Sequence, residues 1–290
     1  MILLFGASGY IGTEFKKQLE NLNLDTYYWK NTTQTTYDDL EKWYDTEHPT
    51  ISFVINCAGY VGKPNVDMCE FNKDSCIKGN VLWHYILTEW CKKHNLPLGN
   101  VSSGCVFLGK KENGDGWSED DEPNFSFKHN NCSFYSGTKV LGEEIVKKHL
   151  NSYIWRLRIP FSSTNEARNY FSKMLNYKYL LDAENSLSNK EEFVSACINM
   201  IINKAPYGIY NVTNPGYIDT NWLITALKNT IAPNHEFKLI TEEELYTRKF
   251  AIAPRSSCVL DTKKIESLGI KLTPVKESIM KCLTILSKSN

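Results

Sequence analysis

Apolar and polar positions alternate in blocks along this chain. Ile2 to Phe5 form a short apolar run ending at a glycine, and "GASGYIGTEFKKQLENL" then switches to a helical period, with Ile11, Phe15 and Leu19 four residues apart. The same succession recurs: "DTYYW" reads as a strand, "YDDLEKWYDTE" as a helix, "ISFVINCAG" as a strand, "CIKGNVLWHYILTEWCKKH" as a long helix and "PLGNVSSGCVF" as another strand. Strands that alternate with helices predict an α/β fold, a Rossmann-type doubly wound parallel sheet with helices on both faces. Further on, "SFYSGTKVLGEEIVKKHL" predicts a helix, and "YIWRLRIP" a strand stopped by Pro160. Helical patterns follow in "NYFSKMLNYKYLL", "TNWLITALKNTI" and "VKESIMKCLTIL". Residues 1–163 are expected to form the nucleotide-binding domain and 164–290 mainly a smaller substrate-binding lobe, with 207–214 returning a strand to the sheet. The polar loop 108–132 breaks the periodicity and belongs at the surface, where long loops often cover a site.

Composition narrows the function. The 33 basic residues balance 33 acidic ones, so no net field draws the protein to nucleic acid or an anionic membrane, and a small-molecule partner is favoured. The nine cysteines include no CxxC pair, and an odd number cannot pair fully, which favours free thiols in a reducing compartment. No apolar run approaches the ~18 residues of a membrane span, and no charged leader is evident, so a cytoplasmic location is expected. The six histidines show no ligand spacing, and no metal is expected.

Candidate chemistry begins at "GASGYIG". Gly6, Gly9 and Gly12 follow the first strand at three-residue intervals, a spacing that permits a tight turn, close approach of a diphosphate to backbone, and close packing of helix on strand. A dinucleotide site is therefore expected. After the second strand the sequence reads "YYWKN", with no acidic residue for a free ribose hydroxyl; Lys30 suits a 2′-phosphate, which favours NADPH over NADH. The expected cofactor contacts are Gly6, Ser8, Gly9, Tyr10, Ile11, Gly12, Lys30, Asn31, Ala58, Gly59, Tyr60, Tyr135, Lys139 and Pro160. Tyr135 and Lys139 lie four apart in "YSGTK", hence on one helix face, where an ammonium lowers a phenol pKa that is ordinarily ~10. Ser103, at a strand end, would hold a reacting carbonyl oxygen. On position alone Cys105 reads as a buried thiol and Lys173 as a solvated helix lysine.

These marks resemble the extended short-chain dehydrogenase/reductase family. The strings "NCAGYVGKPNVDMCE", "SSGCVF", "EDDEPNFSF", "RLRIPFSS", "YNVTNPG" and "IAPRSSCVLDTKKI" narrow the resemblance to the bifunctional nucleotide-sugar 3,5-epimerase/4-reductases, the C-terminal half of plant-type UDP-L-rhamnose synthases, which are related to dTDP-4-dehydrorhamnose reductases. The resemblance runs over essentially the whole chain and implies conversion of UDP-4-keto-6-deoxy-D-glucose to UDP-L-rhamnose. It makes Tyr135 the acid, Lys139 its partner and Ser103 the carbonyl-orienting hydroxyl, and it gives Cys105 and Lys173 the proton transfers of epimerisation. On this reading Cys105 points the same way along the strand as Ser103. Lys63 and Arg255 are expected at the sugar-nucleotide diphosphate, with Asn65 and Asn169 also in the substrate set. The stand-alone form implies a separate upstream 4,6-dehydratase, and the helix around "YSGTKVLGEEIV" implies a homodimer. The alternatives are a 4-keto reductase without epimerase activity and a non-catalytic regulatory subunit. The acidic run Glu119 to Glu122 receives no chemical role from the sequence.

Overall fold

The computed structural model describes residues 1–289. The first half supplies β1 (Ile2–Phe5), α1 (Gly12–Asn21), β2 (Thr26–Trp29), α2 (Tyr37–Glu47), β3 (Phe53–Asn56), α3 (73–93), β4 (Leu98–Ser103), α4 (Phe134–Val146) and β5 (Ser152–Leu157). A sixth strand, β6 (Gly208–Asn211), adds beside β5, and all neighbours in the order β2-β1-β3-β4-β5-β6 run parallel. Strand order reverses between β1 and β3, and in open α/β sheets ligands bind at such a switch point, beyond the carboxyl ends of the strands.

Both faces of the sheet are covered, so its strands are apolar on both sides. Ile2 and Leu4 pack with Phe15, Leu19, Trp155 and Phe193 in one core, whereas Leu3 and Phe5 face Leu40, Trp83, Leu87 and Trp90 in the other. This is the two-residue alternation of a strand. The fully buried Trp90 and Trp155 each contribute roughly the 1.5–3 kcal/mol of a large buried apolar side chain.

The second half departs from the expected division. Beside the returning strand, the helix Lys190–Ile202 supplies Phe193, Val194 and Cys197 to the first core, and Ile265, Ile270 and Leu272 join it. The separate lobe has its own core of Phe161, Phe171, Met174, Leu187, Leu223, Ile279 and Leu283. The helix expected over "NYFSKMLNYKYLL" is limited to Tyr170–Met174, and Tyr179–Leu181 form a strand paired in parallel with Lys238–Ile240. There the partner strand overrides the apolar periodicity, an effect local pattern does not encode.

Loop 108–132 is firmly anchored. Trp117 stacks on Phe107 with ring centroids 5.6 Å apart, and bridges join Gly109 to Cys258 and Trp117 to Leu260. The acidic run has structural partners: Glu119 Oε1 accepts from the Asn211 N–H at 2.7 Å, Asp121 accepts from Ser118, and Lys128 donates to Glu122. Among the described residues no helix is long and apolar enough to cross a membrane, and no cluster of potential metal ligands occurs.

Candidate active site

The glycine turn is shaped for an anion. Gly6 has φ +76°, and a Cβ there would lie 2.6 Å from the Ala58 nitrogen; one on Gly12 would lie 2.0 Å from the Gly6 carbonyl oxygen. Both positions exclude side chains, the first because strand meets strand and the second because helix meets turn. A Cβ on Gly9 would meet only the Gly6 carbonyl oxygen, at 3.2 Å, so this side of the turn is open. The Gly9 N–H donates to Gly6 and that of Thr13 to Gly9, while among the described residues the N–H groups of Tyr10, Ile11 and Gly12 find no backbone acceptor. Free N–H groups at the start of a helix suit phosphate oxygens. Ser8 is exposed at the turn, and Ile11 packs against the sheet core.

The neighbouring loops complete this end of the sheet. Lys30 is exposed directly after β2, followed by Asn31 in the left-handed region at φ +55°. Ala58, Gly59 and Tyr60 follow β3 and are held by Asn80, whose side chain accepts from the Tyr60 N–H and donates to its carbonyl, each at 2.8 Å. Asn80 is fully buried, on a wide turn of α3. Its sequence signal was a lone amide within the apolar stretch "KGNVLW". Pro160 lies past β5, after Ile159 at φ +38°, a strained conformation for a β-branched residue.

Ser103, Cys105, Tyr135 and Lys139 converge at the ends of β4 and α4. The strand stops at Ser103 and residues 104–106 form a single tight turn, so Cys105 does not continue the strand alternation. Instead its N–H donates to Ser103 Oγ at 3.2 Å, which caps that turn. The Tyr135 phenol and the Cys105 thiol both lie beside Ser103, and Cys105 also beside Ser136. Lys139 is buried and its ammonium donates to the Val101 carbonyl at 3.3 Å.

Burial dominates the electrostatics of this cluster. It raises the Tyr135 phenol well above its ordinary value, reinforced by the Cys105 and Cys69 thiols and opposed by the Ser103 hydrogen bond. The lowered phenol expected from the Tyr135/Lys139 spacing is therefore corrected: desolvation raises it instead. Burial likewise depresses the Lys139 ammonium, against the opposing pull of Cys105 and Glu143, and it raises the Cys105 thiol, opposed by Ser103, Ser136, Arg158 and Lys139. The cluster starts with its protons on oxygen and sulfur.

Behind it lies an ion pair absent from the sequence reading. Arg156 Nη2 donates to Glu143 Oε2 at 2.7 Å, and Arg156 Nε contacts both carboxylate oxygens at 3.1 Å. Ser102 Oγ donates to Glu143 Oε1 at 2.5 Å. All three side chains are buried, which fixes α4 against β4 and β5. The signal was a pair of arginines, Arg156 and Arg158, inside an otherwise apolar strand pattern. Arg158 is also buried, and donates to Asn185 Oδ1 at 2.7 Å and to the Ser256 carbonyl.

The remaining candidates lie on the lobe and on the loop after β3. Lys173 is exposed on the helix Tyr170–Met174, yet desolvation by the surrounding protein, then the Arg168 cation, lower its ammonium. Asn169 is corrected to a structural role. It is fully buried; its Nδ2 donates to the carbonyls of Ser162 and Thr164, and its Oδ1 accepts from the N–H groups of Ser162 and Phe171, leaving no polar capacity for substrate. Asn65 Oδ1 accepts from the Asp67 N–H at 2.9 Å, and Lys63 is exposed beside it. Arg255 Nη2 donates to Asp67 Oδ2 at 2.8 Å, while its Nη1 is buried without a partner. Asp67, which sequence reasoning missed, also accepts from the Ile252 and Ala253 N–H groups and so ties the two loops together.

Comparison with known proteins matches residues 1–288 to the model described as the RmlD substrate binding domain. The chain belongs to this family. A bifunctional dTDP-4-dehydrorhamnose 3,5-epimerase/dTDP-4-dehydrorhamnose reductase of Arabidopsis thaliana is 34% identical over 287 residues, covering 96% of this chain and 91% of that protein. A trifunctional UDP-glucose 4,6-dehydratase/UDP-4-keto-6-deoxy-D-glucose 3,5-epimerase/UDP-4-keto-L-rhamnose-reductase of the same plant is 32% identical over 96% of this chain, which spans only 41% of that relative. Among solved structures, the L780 UDP-rhamnose synthase of Acanthamoeba polyphaga mimivirus superposes with a TM-score of 0.87 at 23% identity, covering 98% of both chains. The parallel sheet with flanking helices is thus shared with that solved structure.

Proposed function

We propose that the protein is an NADPH-dependent 3,5-epimerase and 4-keto reductase that converts UDP-4-keto-6-deoxy-D-glucose to UDP-L-rhamnose. One observation carries this reading: Cys105 shares a buried hydrogen-bonded cluster with Ser103 and lies beside the Tyr135 phenol. Matches to multifunctional epimerase/reductases along 96% of the chain support it.

NADPH, when bound, supplies hydride to C4 of the sugar. The chain's residues supply the rest. The open face of Gly9 and the free N–H groups of Tyr10, Ile11 and Gly12 hold the diphosphate, Lys30 and Asn31 meet the 2′-phosphate, and Ala58, Gly59, Tyr60 and Pro160 border the cofactor. Ser103 orients the C4 oxygen, and the protonated Tyr135 donates to it as negative charge develops. Lys139 lends positive charge from behind the phenol.

Before reduction, the C4 carbonyl acidifies the C–H bonds at C3 and C5. Inverting each centre needs one group to remove a proton and another to return one on the opposite face. Burial keeps a proton on the Cys105 thiol and weakens the hold of Lys173 on its own, so the pair offers one group that returns a proton and one that removes it. The enolate formed between the two transfers keeps its charge on the C4 oxygen, where Ser103 and Tyr135 already stand. Lys63 and the unpartnered Nη1 of Arg255 face the sugar-nucleotide diphosphate, with Asn65 beside them. Exposed Leu82 and Tyr85 on α3 support pairing of two copies through α3 and α4. A cytoplasmic location and a separate upstream 4,6-dehydratase complete the proposal.

The test is product analysis by NMR after incubation with UDP-4-keto-6-deoxy-D-glucose and NADPH in deuterated water. UDP-L-rhamnose deuterated at C3 and C5 is expected; a reduced sugar with unexchanged C3 and C5 would leave a 4-keto reductase alone.

A further inference from the structure

Between the glycine turn and the lobe lies a cavity of 270 Å³, lined by Ser8, Gly9, Tyr10 and Thr13 on one side and by Glu166, Ala167 and Arg168 on the other. Arg168 is exposed and, among the described residues, its guanidinium makes no hydrogen bond or ion pair. The acid beside it is already committed, since Glu166 Oε1 accepts from Lys190 Nζ at 2.8 Å and from Thr164 Oγ1 at 2.6 Å. The cavity therefore presents free backbone N–H groups from the turn and one uncompensated planar cation from the lobe.

The loop that carries Arg168 is held in place at both ends. Asn169 locks it to Ser162 and Thr164 through buried hydrogen bonds, and Tyr10 Oη donates to Ser162 Oγ at 3.2 Å. Lys190 Nζ also lies 4.5 Å from the centre of the Tyr10 ring. Turn and loop are thereby registered against each other, so the guanidinium does not have to be recruited from a mobile segment.

We propose that Arg168 is a cofactor-positioning residue that binds the dinucleotide diphosphate from the lobe side, opposite the backbone donors of the glycine turn. The inference rests on the dinucleotide reading given above and adds a side-chain contact to it. A guanidinium fits a diphosphate through two parallel N–H donors, which a lysine cannot reproduce.

The test uses the full chain with Arg168→Gln and Arg168→Lys, titrated calorimetrically with NADP⁺, with adenosine 2′-phosphate, which lacks the diphosphate, and with UDP. Loss of a charge-assisted contact is expected to weaken NADP⁺ binding by about 10–100-fold in Arg168→Gln, with a smaller loss in Arg168→Lys and no loss for adenosine 2′-phosphate or UDP. Unchanged NADP⁺ affinity in a folded Arg168→Gln protein would overturn the proposal. So would a loss confined to UDP, which would assign Arg168 to the sugar nucleotide. A wild-type protein that binds neither NADP⁺ nor NAD⁺ would instead remove the dinucleotide reading itself, and this inference with it.

Discussion

Tyr135 and Lys139 stand on a helix whose buried side is fixed to the sheet by Glu143, Arg156 and Ser102, whereas Lys173 stands on a five-residue helix capped by Asn169 and packed into the lobe core by Phe171 and Met174. The first arrangement is set by strand register and a buried ion pair. The second depends on where the lobe loop lies. The contrast separates the proposed chemistries: the reducing groups are preorganised by the sheet, while the proton-transfer pair spans sheet and lobe and is complete only when both are in place.

Removing the phenolic hydroxyl tests the rigid side most strongly. Tyr135→Phe should lower 4-keto reduction by about 10²–10⁴-fold, the usual contribution of a positioned general acid, as measured by NADPH oxidation. Deuterium exchange at C3 and C5 should fall by a smaller factor, because Ser103 still holds the enolate oxygen, and equal losses would break the separation. Next in size, Arg156→Met strands Glu143 as an unpaired buried charge and should cost about 3–5 kcal/mol in urea unfolding, whereas replacing both partners by apolar residues should cost much less. If the single change were harmless, the ion pair would not be what fixes α4.

On the lobe side, Asn169→Ala removes a helix cap and buried hydrogen bonds, an expected cost of about 1–3 kcal/mol. Its kinetic signature should be exchange at C3 and C5 falling more than reduction of an already epimerised 4-keto sugar. The smallest effect concerns pH. Burial opposes ionisation of Asp67, but Arg255 and the Ala253 and Ile252 N–H groups outweigh it and lower its carboxyl. A lowered carboxyl stabilises the fold above its unfolded pKa, roughly 3.9, and that stabilisation is lost as pH falls through the lower folded value. Hydrogen exchange at Ile252 and Ala253 should accelerate below about pH 4, and Asp67→Asn should flatten this response.

Much of the fold was legible because its signals are local. The glycine turn lies between an apolar run and a helical period, and the helices 73–93 and Phe134–Val146 carry their own periodicity. Ser103, Tyr135 and Lys139 were legible as a group because the strand end and the four-residue spacing each constrain where a side chain points. What escaped was set by contacts distant in sequence. Asn80 holds Tyr60 from 20 residues away, and Asp67 meets Arg255 across 188. Neither partner announces the other in the chain. Strand alternation misplaced Cys105 because the strand ends two residues earlier, and the "NYFSKMLNYKYLL" pattern could not foresee the strand at Lys238–Ile240. The phenol shift was misjudged for an energetic reason: spacing puts a lysine on the same helix face but does not give the depth of burial that raises the phenol.

The central claim is that Cys105 and Lys173 invert C3 and C5 in the pocket where Tyr135 reduces C4. Its most direct test is Cys105→Ser in deuterated water, with UDP-4-keto-6-deoxy-D-glucose as one substrate and UDP-4-keto-L-rhamnose as the other. The expected result is loss of C3 and C5 exchange with the first substrate and continued NADPH-dependent reduction of the second. Exchange at the wild-type rate in Cys105→Ser would contradict the claim and leave the protein a reductase alone.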